Sequence, residues 1–297
     1  MGIYLVPELL QAGFQVVVTS RSPPATAAPG LRYLAGNARD PAFLQTVLAR
    51  GPYDAIVDFM IYGTEEFNAR RERLLRQTAH YLYLSSYRVF ADSSPAPLTE
   101  RSPRLLDVCS DAAYLATDEY ALAKARQEDS LRASGTRHWT ILRPGITYSR
   151  NRFQFGTLEA DVFCYRARQG VPVLIAREIL AKQTTLTWAG DVARLIARLV
   201  LNPAAFAEDY NVVTAEHRSW AEIAACYRDL LGLRVLETDL ETYAKVVGGP
   251  YQIRYDRMFD RVLDNAKVLA ATGSAQADFQ PVRQGLAREL AAYRQDP

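Results

Sequence analysis

Hydrophobic positions recur with two different periods along the first half of the chain. Leu5, Leu9 and Leu10 fall at helical spacing within residues 3–12, and Gly13 ends that run. Gln15 to Thr19 is β-branched and predicts a buried strand, and Leu31 to Leu34 predicts a short second one. Pro41 to Arg50 predicts a helix, with Asp40 as its N-cap and Pro41 at the first helical position. Strands follow at Ala55–Met60, His80–Ser85 and Trp139–Arg143, separated by helices at Asn68–Thr78 and Asp118–Ser134. Strand therefore alternates with helix through about residue 145, which predicts a parallel sheet with right-handed crossovers.

Further on the pattern loosens. Ala193–Leu201 and Trp220–Leu231 read as helices, Tyr210–Val213 and Leu233–Glu237 as strands. Residues 240–265, rich in Tyr, Arg and Asp, have no clear period. No internal repeat or low-complexity linker interrupts the chain.

At 297 residues the chain can hold one large α/β domain with a smaller lobe. Thirty-five basic residues against 33 acidic ones leave a net charge of +2, and no basic block stands out. That argues against nucleic acid and membrane surfaces as partners. Cys109, Cys164 and Cys226 are odd in number and far apart, so they form neither a CxxC pair nor a disulfide framework. His80, His138 and His217 fall in no cluster; no metal site is expected, and the three imidazoles are read as structural. There is no apolar run of about 18 residues and no signal-peptide start. The expected location is the cytoplasm.

Two stretches carry chemistry. In Tyr120-Ala-Leu-Ala-Lys124 the tyrosine and lysine lie four apart, on one helix face. An ammonium beside a phenol favours the phenolate, which makes the tyrosine a usable acid or base for a carbonyl/alcohol pair. Taken alone, the spacing also fits a surface tyrosine and a solvated lysine. Leu84-Ser85-Ser86-Tyr87-Arg88-Val89-Phe90 sits just past a predicted strand. Ligands of open α/β sheets bind at the carboxyl ends of the strands, so a serine there can meet a substrate oxygen.

With Leu142-Arg143-Pro144-Gly145 ending the next strand, the order S-S-x-x-V-[YF], Y-x-x-x-K, L-R-P-G resembles the extended short-chain dehydrogenases/reductases. These are the NAD(P)-dependent epimerases, dehydratases and reductases. Asp191-Val192 and Asp264-Asn265-Ala266-Lys267 extend the resemblance over nearly the whole chain. It implies an α/β fold, a Rossmann-like doubly wound parallel sheet with a smaller C-terminal substrate-binding lobe. Residues 1–147 would form the dinucleotide domain, with 182–212 returning to it, and 148–181 and 213–297 would form the lobe.

By the same resemblance Tyr120 is the catalytic acid/base. Lys124 assists it and binds the nicotinamide ribose, and Ser86 holds the reacting oxygen. Ser86 rather than Ser85 has the matching distance to Val89. Pro144 and Gly145 would line the nicotinamide, as would Phe59 and Met60, which replace smaller residues usual after that strand. Dehydratases of the family carry Thr-Asp-Glu where this chain has Ser-Ser-Tyr, which favours epimerisation or carbonyl reduction over dehydration. A homodimer through the Tyr120 helix is also implied.

Family members begin with a strand and a G-x-x-G-x-x-G turn that meets the cofactor pyrophosphate. Gly2 falls on the last of these glycines, and the strand and first two glycines are missing. A truncated start or a protein that has given up the cofactor would explain this. Ser20, followed by Arg21, stands where NAD-preferring members carry an acid, which points to NADP, with NAD as the alternative. Asn37, in Gly36-Asn37-Ala38-Arg39-Asp40, would meet the adenine.

The expected function is that of an NAD(P)-dependent oxidoreductase or epimerase acting on a hydroxyl/carbonyl carbon of a small molecule such as a nucleotide sugar. Arg152, Arg254 and Arg257 are candidates for a diphosphate clamp. The alternative is a binding or regulatory protein that keeps the fold without turnover.

Overall fold

The computed structural model describes residues 1–92 and 97–293. Its first half follows the hydrophobic pattern closely. Helix α1 (Gly2–Gln11) leads through Gly13, at φ +88°, into strand β1 (Val16–Ser20). Strand β2 (Leu31–Ala35) and helix α2 (Pro41–Leu48) come next. Asp40 caps α2 as expected, accepting from the backbone N–H groups of Ala42 and Phe43. Then come β3 (Tyr53–Asp58), α3 (Thr64–Arg76), β4 (Thr78–Leu84), the tyrosine helix (Tyr120–Arg132) and β5 (Trp139–Arg143).

Strands β3, β4 and β5 run parallel, and the Glu208–Asn211 strand joins the far edge of β5, also parallel. Side chains alternate across this sheet. Leu82, Leu84 and Leu142 face the Ala189–Leu199 helix and α1, which contributes Leu5. Tyr81, Tyr83 and Ile141 face the opposite layer, with Phe67 and Leu74 of α3 and Leu131 of the tyrosine helix. The C-terminal lobe has its own core around the parallel pair Val173–Ala176 and Val235–Thr238, filled by Phe155, Phe163, Trp220 and Tyr227.

The sheet is divided. β1 and β2 pair in parallel with each other, and no ladder joins β1 to β3 among the described residues. The consequence is visible in burial. β5 is buried at every position, whereas Val17 in β1 is 39% exposed and most of β3 is only half-buried. The expectation of a buried strand at Gln15–Thr19 is thus corrected. Its β-branched residues do form a strand, but only Val16 is buried, and among the described residues β1 has no ladder partner besides β2.

Residues 240–265, where no period could be read, contain the Leu240–Val247 helix and a π-helical turn at Ile253–Arg257. Asp256, Arg257 and Arg261 are all nearly inaccessible to solvent there. Residues 294–297, at the end of the expected lobe, lie outside the described residues. No described helix is long and apolar enough to cross a membrane.

Candidate active site

The site is built where β4 and β5 end. Ser85 and Ser86 follow Leu84 directly, and Pro144 and Gly145 follow Arg143. The two ends are tied together: Ser85 N–H donates to Leu142 O, and Tyr87 N–H donates to Pro144 O. Pro144 is buried, and a Cβ on Gly145 would stand 3.2 Å from Thr185 O, so that chain end is closely packed.

The two serines have different partners. Ser85 Oγ donates to the buried Glu128 carboxylate at 2.6 Å, which commits it to the interior. Ser86 Oγ accepts from Arg88 N–H at 3.2 Å, capping the short turn Tyr87–Val89, and its hydroxyl acts on the Tyr120 phenol.

Tyr120 opens its helix directly after the capping residue Glu119. The helix begins two residues later than the pattern predicted because the Asp118 carboxylate is taken by Thr64 instead. Burial raises the phenol above its ordinary range, while the Ser86 hydroxyl and the charges of Arg88 and Arg152 pull it down. Lys124, one turn on, is 2% exposed. Its Nζ donates to Leu84 O at 2.7 Å and lies 4.6 Å from the Tyr83 ring centre and 5.9 Å from that of Tyr120. Burial lowers its pKa to about 8, against the pull of the Asp58 and Glu128 carboxylates.

Two groups in this neighbourhood had no role in the sequence reading. Arg88 lies over the Tyr120 ring, its Cζ 5.2 Å from the ring centre. Asp58, at the end of β3, accepts from Tyr81 Oη at 2.8 Å and from Met60 N–H at 2.9 Å. Burial pushes its carboxyl up. Arg88 stood within the quoted serine stretch, two residues past Ser86. Asp58 gave no signal, being one acid within an apolar strand.

The remaining candidates lie at other strand ends. Ser20 closes β1 and accepts from Ser22 N–H; Arg21 beside it is exposed. Asn37 is exposed, and its Oδ1 accepts from Arg39 N–H at 3.1 Å. Gly36 before it packs under Phe43, whose ring would be 2.2 Å from an added Cβ. Phe59 and Met60 are half-buried after β3. Gly2 starts α1 with open space where a Cβ would be. Of the clamp candidates, Arg257 is interior, donating to Gly156 O and paired with Asp256, so it is not available as a clamp. Arg254 pairs with Asp111, and Arg152 stays half-exposed, 3.7 Å from Glu159.

Ser86, Tyr120, Lys124 and Pro144–Gly145 are the residues that could hold a ribose and nicotinamide, and Arg21 and Asn37, just past β1 and β2, those that could meet phosphate or adenosine groups.

No curated protein matches the sequence. Solved structures similar in fold include an epimerase of Methanothermobacter thermautotrophicus, 16% identical at a TM-score of 0.72, covering 98% of this chain and 88% of that one. DesIV of Streptomyces venezuelae, a dTDP-glucose 4,6-dehydratase solved with NAD and TYD bound, is 20% identical at 0.74, covering 99% and 94%. The UDP-glucose 4-epimerase of Thermus thermophilus, in complex with NAD, is 18% identical at 0.70, covering 100% and 96%. The architecture, a Rossmann-like parallel sheet with further C-terminal helices and strands, is shared with these epimerases and dehydratases. An NAD(P)H-binding family model matches residues 1–163, more than half of the 297, and the chain belongs to that NAD(P)H-binding family.

Proposed function

We propose that this chain is an NAD(P)-dependent oxidoreductase or epimerase acting at a hydroxyl/carbonyl carbon of a nucleotide sugar. The observation that carries the reading is the Tyr120 ring flanked by the cations of Arg88 and Lys124, at 5.2 and 5.9 Å from its centre. Tyr120 exchanges the proton with the substrate oxygen. Ser86 orients that oxygen, and Lys124 holds the ribose. The nicotinamide, when bound, supplies or takes up the hydride. Pro144 and Gly145 shape the wall of its site, with Phe59 and Met60 opposite. The exposed Arg21 beside Ser20 favours NADP over NAD, since a guanidinium suits a 2′-phosphate and no carboxylate stands there for a 2′-hydroxyl.

In the same reading residues 1–147 and 182–212 carry the cofactor, 148–181 and 213–297 the substrate. The enzyme works as a cytoplasmic homodimer. Cys109, Cys164 and Cys226 form no disulfide, in keeping with a reducing compartment.

One observation favours a second reading. Among the described residues no ladder joins β1 to β3, which leaves a seam in the sheet close to where a dinucleotide would cross it. A protein that keeps the fold for binding or regulation would tolerate that. Calorimetric titration with NADPH and NADH separates the two. Micromolar NADPH binding with weaker NADH binding supports the enzyme, and nucleotide sugars and aldehydes are then screened as substrates. Absence of binding by either nucleotide would favour the binding module.

A further inference from the structure

The family pattern assigns Lys124 the task of placing a positive charge against the tyrosine. In this fold Lys124 is engaged elsewhere, with its ammonium on Leu84 O and over the Tyr83 ring. Arg88 stands nearer to the Tyr120 ring, at 5.2 Å against 5.9 Å. A guanidinium also keeps its charge at every working pH, which an ammonium with a pKa of about 8 does not.

Arg88 is held from both sides. Its Nη2 lies 2.7 Å from Glu119 Oε1. The other oxygen of Glu119 accepts from Ala121 N–H at 2.8 Å and Tyr114 Oη at 3.1 Å, so this carboxylate fixes the helix start at which Tyr120 stands. The Nε of Arg88 faces Asp256 Oδ2 at 3.5 Å. Asp256, in the π-helical turn, also holds Arg257, Arg261 and Tyr87. Burial pushes its carboxyl up, and the guanidiniums more than offset this and keep it ionised. Asp256 and Glu119 together carry two negative charges against the three positive charges of Arg88, Arg257 and Arg261. Of the charges that act on the phenol, Arg88 and Arg152 favour its ionised form and Glu119 opposes it.

We propose that Arg88 is the positioning residue for Tyr120, keeping a permanent cation over its ring and tying it, through Asp256, to the C-terminal lobe. This rests on the reading of Tyr120 as the proton-exchanging group, but its test needs neither substrate nor cofactor. A fluorotyrosine is installed at position 120 of the full chain, and its ionisation is followed by fluorine NMR as pH rises. Arg88→Met is expected to raise the midpoint by about one pH unit. Arg88→Lys restores most of that shift, and Lys124→Met moves the midpoint less than Arg88→Met does. An unchanged midpoint in Arg88→Met, or a larger shift in Lys124→Met, overturns the proposal. Should Arg88→Met fail to fold, Arg88→Gln, which keeps a hydrogen-bonding side chain without the charge, must raise the midpoint; no movement there also overturns it. Loss of the proposed enzymatic activity would leave this outcome unaffected, so the two readings fail separately.

Discussion

Glu128 takes the Arg143 guanidinium on both carboxylate oxygens, Nε on Oε1 at 2.8 Å and Nη2 on Oε2 at 2.7 Å. Neither side chain is more than 1% exposed. The pair locks the tyrosine helix to β5 beneath the site. Burial pushes the Glu128 carboxyl up, but Arg143 more than offsets this and holds it below the usual carboxylate range. Removing one partner leaves the other charged and buried. Glu128→Gln is therefore expected to cost about 3–5 kcal/mol, read as a lowered urea midpoint. A change under about 1 kcal/mol would mean that Arg104, Arg132 and Asp209 rearrange to replace the pair.

The same carboxylate separates the two serines. Ser85→Ala deletes a buried hydrogen bond to Glu128 and should cost about 1–3 kcal/mol of stability, with turnover per folded molecule nearly unchanged. Ser86→Ala should show the reverse: about a hundredfold loss of turnover, and at most about 1 kcal/mol for the lost cap. Paired unfolding curves and kinetics on the two variants decide it. Equal effects on both readouts would remove the distinction.

This division between the serines could not be read from the chain, because it depends on a glutamate 43 residues away from Ser85. What the sequence exposed well were elements buried by apolar periodicity. The β5 strand at Trp139–Arg143 and the helix at Trp220–Leu231 have the boundaries that the pattern predicted. Helix α3 starts at Thr64 rather than near Asn68, since its first turn is polar and is held by the Asp118 carboxylate. Residues 253–261 were opaque for a related reason. Arg257 and Arg261 are buried by pairing with Asp256, so charged letters occupy interior positions. Within the candidate site, Ser86, Tyr120 and Lys124 were visible as short spacings, whereas the contact between Arg88 and Tyr120 requires the fold.

His80 should make stability fall in mild acid. Its Nδ1 accepts from Leu201 N–H at 3.0 Å, which leaves Nε2 to donate to Thr140 Oγ1 at 2.7 Å. Protonating Nδ1 would set two donors against each other. Burial, helped by the charge of His138, lowers the His80 pKa to about 4 from the ordinary 6.5. Because the unfolded chain binds this proton first, the neutral ring's contribution is complete above about pH 6.5 and is lost as pH falls toward 4. The whole window is worth about 3 kcal/mol. Denaturant midpoints between pH 4 and 7 measure the slope. His80→Asn, whose amide oxygen can still accept from Leu201 N–H, should flatten it; an equally steep slope in that variant would assign the loss to other groups.

Tyr148 and Gly285 supply a test of packing where the C-terminal helix Val282–Tyr293 crosses the Ile146–Tyr148 strand. The Tyr148 hydroxyl is buried and finds no hydrogen-bond partner among the described residues. A Cβ at Gly285 would stand 2.0 Å from that oxygen and 2.8 Å from the carbon bearing it. Alanine normally favours a helix over glycine by about 1 kcal/mol, but here the clash outweighs that gain, and Gly285→Ala should cost about 1–3 kcal/mol. Tyr148→Phe removes an unpaired polar atom and should be neutral or stabilising by about 1 kcal/mol. Since the two changes meet at one point, they should not add. In the Tyr148→Phe background the penalty of Gly285→Ala should shrink by at least about 1 kcal/mol, because the nearest obstructing atom has gone and the ring can tilt away. Urea unfolding of the four proteins of this cycle gives the coupling directly. An identical penalty in both backgrounds would show that the clash is relieved by movement of the helix, with the tyrosine oxygen playing no part.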